Sequence, residues 1–312
     1  MAVAFVFPGQ GSQYPGMGKE VYESFPEARE VFEEASEGAG VDIRKLCFEA
    51  PESELTLTYN AQPAIFTVSM AVLRVIEKAG IKEKPILVAG HSLGEFSAAG
   101  SVNVFSVSEG ALLVRKRGQF MQEAVPPGVG GMTAVIGIPA ETVDEVLKTV
   151  KSGFVQVANY NTPEQTVISG EIKALEEAEE KLKGAGAKRI VRLAVSAPFH
   201  SELMKPAADR LKELMEGMEF REAKVPILNN ADVELIKKPE EIKDSFYRQV
   251  FSPVRWVEDV RKMAEMGVDR VYEIGPKNVL RGLIRKIDRN IKVLSVEKPK
   301  DIEKTIEELS SC

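Results

Sequence analysis

Apolar positions along this chain fall into two rhythms that alternate from end to end. Residues 3–7 are an uninterrupted apolar run ended by Pro8 and Gly9, the pattern of a strand buried on both faces. A glycine-rich loop follows over 9–18. Two stretches with 3.6-residue periodicity then predict helices over 20–37 and 61–79, the second stopped by Gly80. Residues 85–89 read as a second buried strand that runs directly into Gly90, His91, Ser92, Leu93 and Gly94, after which 95–99 reads as helix. Ser106 and Glu109 have the spacing of a capping box, so a helix is predicted from there to about Ala124, with Arg117 some two turns from its end.

Pro126, Gly128, Gly130 and Gly131 mark a break, and beyond it the pattern changes. Strands are predicted over 132–138, 154–159, 166–169 and 189–195, with helices over 140–150 and 174–184. That βαββαβ order is the order of a ferredoxin-like unit, which buries two helices on one face of a four-stranded antiparallel sheet. It reads as an insertion. Later segments predict helices over 201–218, 239–251, 254–266, 279–287 and 302–309, and strands over 225–228 and 269–275. The alternation predicts an α/β fold with a parallel sheet covered on both faces. The expected division is a core of residues 1–127 and 196–312 interrupted by a small subdomain of 128–195.

Charge narrows the functional classes. A net charge of −6 argues against a polyphosphate backbone as the main partner, so no nucleic acid is expected. Two cysteines, Cys47 and Cys312, cannot build a disulfide framework, which fits a reducing cytoplasm. The amino terminus lacks a basic region and its apolar run is too short for a signal peptide or a spanning helix, so no membrane is expected. With no long exposed apolar stripe, a monomer is expected.

The segment from Gly90 to Gly94 matches G-x-S-x-G, the nucleophile elbow, with the strand before and helix after that the turn requires. The glycines allow backbone to approach where side chains would collide, and the helix start offers the Leu93 N–H where an oxyanion would develop. A serine hydroxyl needs a base, and the chain has two histidines. His91 adjoins the serine in a turn whose successive side chains diverge, so it reads as packing. His200 sits where a strand gives way to a helix, and by elimination it is the base. The glycine-rich loop lacks the Lys-Ser/Thr of a phosphate-binding loop.

These motifs, together with residues 7–13 (FPGQGSQ), Arg117-Gly118, residues 159–163 (NYNTP), Phe199-His200 and Gly275-Pro276, resemble the malonyl-CoA:acyl carrier protein transacylase family, related to the acyltransferase domains of fatty acid and polyketide synthases. The resemblance runs nearly end to end. It implies a hydrolase-like α/β core with a ferredoxin-like insertion. It implies that Gln10 joins the Leu93 N–H in the oxyanion hole, that Arg117 holds the malonyl carboxylate through paired charge-assisted hydrogen bonds, and that the Gln249 backbone carbonyl orients His200. Met121, Asn161 and Phe199 are expected to line the pocket, the Phe199 ring leaving little room for an α-branch.

The activity so implied is ping-pong transfer of malonyl from malonyl-CoA, through a malonyl-serine, to the phosphopantetheine thiol of acyl carrier protein in fatty acid synthesis, with no metal or other cofactor. Competing readings are a transacylase for another acyl-CoA, a serine thioesterase or esterase, and a non-catalytic docking module. Arg281, Arg285, Lys286 and Arg289 are candidates for the surface that receives an acidic carrier, beside the plainer reading of a solvated helix face.

Overall fold

The computed structural model describes residues 2–126, 128–195 and 197–310; positions 127 and 196, two of the expected subdomain limits, lie outside the described residues. The opening apolar run is strand β1 (Ala2–Phe7). The single helix expected over 20–37 is two, α1 (Lys19–Ser24) and α2 (Pro26–Ala39). Pro26 is the reason: it starts a helix well but forces the residue before it out of helical geometry, and Phe25 is extended at φ −128° and ψ 123°. Two short helices that the periodicity did not reveal follow, α3 (Ile43–Phe48) and α4 (Glu52–Leu55).

The long helix α5 (Thr58–Lys78) begins earlier than expected, and β2 (Leu87–Gly90) feeds α6 (Leu93–Ser101) through the elbow. Helix α7 (Val107–Glu123) carries the capping box, with Ser106 Oγ accepting the Glu109 N–H and the Glu109 carboxylate accepting the Ser106 N–H. The insertion comprises β3 (Gly130–Ile136), α8 (Ala140–Leu147), β4 (Val155–Thr162), β5 (Gln165–Glu171), α9 (Ile172–Gly184) and β6 (Arg189–Arg192). The chain closes with α10 (Lys205–Glu216), β7 (Ile227–Leu228), β8 (Leu235–Ile236), α11 (Pro239–Gln249), α12 (Trp256–Glu265), β9 (Val268–Ile274), α13 (Val279–Ile287), β10 (Lys292–Val296) and α14 (Pro299–Ser310). Strands β8 and β10 had no counterpart in the sequence reading. Each is short, and β10 lies at the sheet edge, where one side of the ladder is open.

The large sheet runs β10-β9-β1-β2-β7-β8, parallel except for the closing β7–β8 pair. Side chains of β1 alternate between its faces: Val3, Phe5 and Phe7 enter one buried cluster with α2, α5, α6 and α7, while Ala4 and Val6 enter another with α12 and α13. Burial on both faces is why the strand reads as a continuous apolar run. The small sheet runs β4-β5-β3-β6, antiparallel throughout, which is the ferredoxin-like order. One of its faces packs under α8 and α9, and Met132, Ala134, Ala158 and Val167 on the other join the main core. The carboxyl ends of β1 and β2 therefore lie beneath the small sheet.

Candidate active site

The elbow is held in a conformation that only close backbone contact explains. Ser92 has φ 53° and ψ −106°, outside the regions an L residue prefers. A Cβ on Gly90 would stand 1.9 Å from the Gly94 carbonyl carbon, and one on Gly94 would stand 2.0 Å from Phe7 O, so both positions require glycine. Hydrogen bonds hold the turn from three sides. Ser92 N–H donates to Asn230 Oδ1 at 2.8 Å, Asn230 Nδ2 donates to Gly90 O at 2.8 Å, and Gln249 Nε2 donates to Ser92 O at 2.9 Å. Turning through this conformation points the hydroxyl into a cavity of about 290 Å³.

His200 Nε2 lies 2.6 Å from Ser92 Oγ, and its Nδ1 lies 2.9 Å from the Gln249 carbonyl oxygen. A carbonyl can only accept, so Nδ1 carries the proton and Nε2 presents a lone pair to the serine hydroxyl. Burial, and next the nearby Arg117 charge, push the imidazole down to about 3. The ring is therefore neutral at neutral pH. His91 faces elsewhere, with Nε2 2.8 Å from Asn161 Oδ1 and its ring edge-on to Trp256.

Arg117 is 1% exposed yet makes no direct ion pair among the described residues. Nη1 donates to Gln62 Oε1 at 2.8 Å, and Nη2 donates to Ser92 Oγ at 3.1 Å and Gln249 Oε1 at 2.9 Å. Its guanidinium lies 4.9 Å from the Phe96 ring centroid, and the buried Nε has no protein partner. Burial lowers its affinity for the proton to about 10, which leaves it charged at neutral pH. The acidic group coupled to it is Glu95, fully buried in the first turn of α6. It accepts from Asn230 N, Gln249 Nε2 and Ser245 Oγ, at 2.8–2.9 Å. Burial pushes the Glu95 carboxyl up, while these donors and Arg117 oppose the shift.

Gln249 thus serves twice, its backbone carbonyl facing His200 and its side chain bridging Arg117, Glu95 and the Ser92 carbonyl. Behind it, Asn230 also donates to Asp259 Oδ2 at 2.9 Å; Asp259 Oδ1 has no partner, and burial beside Glu95 holds that carboxyl well above its ordinary range.

Gln10, Leu93, Met121 and Phe199 line the cavity. Gln10 Nε2 donates weakly to Thr58 Oγ1 at 3.3 Å, and the Leu93 N–H is one of the first-turn amides that have no partner within helix α6. Asn161 requires a correction. It does not line the cavity; Asn159 does, because register shifts at Val157/Asn159 and Tyr160/Thr162 break the alternation of β4 and turn Asn161 onto His91. Gln62, Glu95, Asn230, Asp259 and the side chain of Gln249 were not identified from the sequence. One signal was available: Asn229 and Asn230 follow a strand at the carboxyl edge of the sheet, where α/β proteins gather functional groups.

A family model described as "Acyl transferase domain" matches residues 4–298. The malonyl CoA-acyl carrier protein transacylase of Bacillus subtilis (strain 168) is 46% identical over 309 residues, 98% of this chain and 97% of that one. The same-named protein of Escherichia coli (strain K12) is 42% identical over 297 residues, 95% and 96% of the two chains. Among solved structures, the acyl-carrier-protein-S-malonyltransferase of Bartonella henselae superposes with a TM-score of 0.97 at 45% identity, over 99% of both chains. A malonyl-transacylase in complex with its type II polyketide acyl-carrier protein superposes at 0.96 and 42% identity, over 99% of this chain and 100% of that one. With a serine, a neutral histidine and a buried arginine converging on one cavity in this fold, and with relatives this similar over their whole length, the chain belongs to the malonyl CoA-acyl carrier protein transacylase family of acyl transferases.

Proposed function

We propose that this protein transfers malonyl from malonyl-CoA to the phosphopantetheine thiol of acyl carrier protein, in fatty acid synthesis within the cytoplasm, by a ping-pong cycle on Ser92. The observation that carries the assignment of roles is the position of Ser92 Oγ, 2.6 Å from His200 Nε2 and 3.1 Å from Arg117 Nη2 in one cavity. His200 takes the hydroxyl proton as Oγ attacks the thioester carbonyl, and the oxyanion is held by the Leu93 N–H and Gln10. The C–S bond breaks, the proton passes from His200 to the departing thiolate, and coenzyme A leaves. In the second half, His200 takes the proton of the carrier's thiol, the sulfur attacks the malonyl ester, and the proton returns to Ser92 Oγ. The cycle draws on protein groups, the malonyl thioester and the carrier's thiol.

Arg117 is what suits the site to malonyl in preference to a neutral acyl group. Its unpartnered Nε and the Nη2 group that now contacts the serine are donors for the substrate carboxylate. Phe199 bounds the same space and limits branching. The reading includes a core of residues 1–127 and 196–312 and a small subdomain of 128–195, with the site where the two meet. Among the described residues, no helix is long and apolar enough to cross a membrane.

Intact mass after brief exposure to malonyl-CoA without carrier tests the roles. A malonyl adduct is expected on the wild type, none on Ser92→Ala, and an adduct weakened at least tenfold on Arg117→Ala. An equal preference for acetyl-CoA would overturn the role of Arg117. Steady release of coenzyme A without an adduct would indicate hydrolysis.

A further inference from the structure

The histidine of the site stands on a backbone as strained as that of the serine. His200 has φ 54°, a left-handed conformation that a residue with a side chain keeps only where its surroundings hold it. Ser92, at φ 53°, is held by Asn230 and Gln249 from the catalytic core. The turn at His200 has its own internal bonds: Ser201 Oγ donates to Pro198 O at 2.6 Å, Phe199 N–H to Ala197 O at 3.1 Å and Met204 N–H to Ser201 O at 2.8 Å. Its remaining support comes from the inserted subdomain.

Gln156, on β4, donates from Nε2 to His200 O at 3.2 Å and accepts the Glu202 N–H on Oε1 at 3.1 Å. One side-chain amide therefore closes over both sides of Ser201, gripping the strained peptide and capping the first N–H of the short 3₁₀ turn over Glu202–Met204. The platform beneath this clamp is fixed. Val155 and Val157 pack in the subdomain's own core, so Gln156 between them faces the catalytic core. Two residues further on, Val254 N–H donates to Ala158 O at 2.8 Å and Tyr160 N–H to Val254 O at 2.9 Å, which ties β4 to the large domain. Gln156 does not line the cavity. The two holds on His200 are thus complementary: the Gln249 carbonyl orients the ring through Nδ1, and Gln156 fixes the backbone from which the ring projects.

We propose that Gln156 is the positioning residue of the base: through it the inserted subdomain holds the His200 peptide, and so sets the reach of Nε2 to Ser92 Oγ in both half-reactions. The proposal rests on the transacylase reading for what the base does.

Gln156→Met keeps the length of the side chain and removes both hydrogen bonds, and Gln156→Glu keeps the acceptor for Glu202 while replacing the donor to His200. At pH 8 each is expected to lower kcat on the order of tenfold, both in acylation by malonyl-CoA and in transfer to holo-carrier, with KM for malonyl-CoA changed by less than about twofold. A ring seated less firmly meets more water, so Gln156→Met is also expected to gain an acid limb in kcat/KM between about pH 5 and 6.5 that the wild type lacks. Arg117 and His91, the titratable groups that bear on the ring, are unaltered in that variant. Leu182→Ala, on α9, hollows the subdomain's own core away from the clamp and is expected to lower Tm while leaving kcat per folded molecule and the level pH profile as in the wild type. Wild-type kcat in either Gln156 variant overturns the proposal, as does a loss confined to KM. An equal loss of kcat in Leu182→Ala overturns it too, by making the effect one of subdomain stability. A wild type that forms no malonyl-serine would instead defeat the transacylase reading, and the proposal with it.

Discussion

At the scale of single residues, the central electrostatic fact is that two cation-forming groups share one buried site with one of them kept neutral. Burial and the Arg117 charge hold His200 down to about 3, whereas Arg117, lowered only to about 10, keeps its charge. A base that stays unprotonated far below the usual histidine range has a kinetic consequence. The value of kcat/KM for malonyl-CoA is expected to stay level from pH 7.5 down to 5, and an acid limb near 6.5 would contradict the environment described here. Stability moves the other way. Between about 6.5 and 3 the unfolded chain binds a proton at His200 that the folded chain refuses, so stability falls as pH drops through that window. The side chains of this set are separately weak signals in the sequence. Local sequence does not separate Arg117 from Arg115 and Lys116 beside it; the family resemblance pointed to Arg117, and the fold shows that it is the one of the three that is fully buried.

At the scale of elements, the elbow between β2 and α6 is strained and depends on three distant elements for support: Asn230 after β7, Gln249 at the end of α11 and Asp259 on α12. Asp259 is the informative one. Its folded-state affinity for a proton is raised well above that of an ordinary aspartate, so its contribution to stability is fully present below about 3.9 and is lost as pH rises through the folded value. Asn in its place keeps an oxygen for Asn230 Nδ2 and removes that dependence. Asp259→Asn is therefore expected to fold with a Tm at pH 8 equal to or above wild type and with acylation preserved. Asp259→Leu, which leaves the Asn230 amide without its acceptor, is expected to lose on the order of 2 kcal/mol and most of the acylation rate. A marked loss of Tm at pH 8 in Asp259→Asn would show that the carboxyl is ionised and needed as an anion.

At the scale of the whole molecule, the two sheets differ in topology but share one apolar core, since Met132, Ala134, Ala158 and Val167 pack among residues of the large sheet's helices. Calorimetry is accordingly expected to give one unfolding transition for the whole chain, and two resolved transitions would mean that the small sheet is stable by itself. Local features of this architecture were legible in the sequence because adjacent residues encode them: the β1 apolar run, the G-x-S-x-G turn, the Ser106 capping box and the βαββαβ order of the insertion. The break at Pro26 was legible in principle and overridden by the helical periodicity around it.

What escaped was long-range. Glu95, Asn230 and Gln249 meet only because β7 and α11 pack beside the elbow, and a register shift in β4 set Asn159 in the cavity in place of Asn161. Dihedral preferences, caps and periodicities are properties of neighbours along the chain, so the sequence by itself determined most of the longer elements and pointed to Ser92 and His200. Hydrogen-bond partners in a low-dielectric interior are chosen by which elements come to lie side by side, so only the tertiary structure decided how that pair is charged, oriented and held.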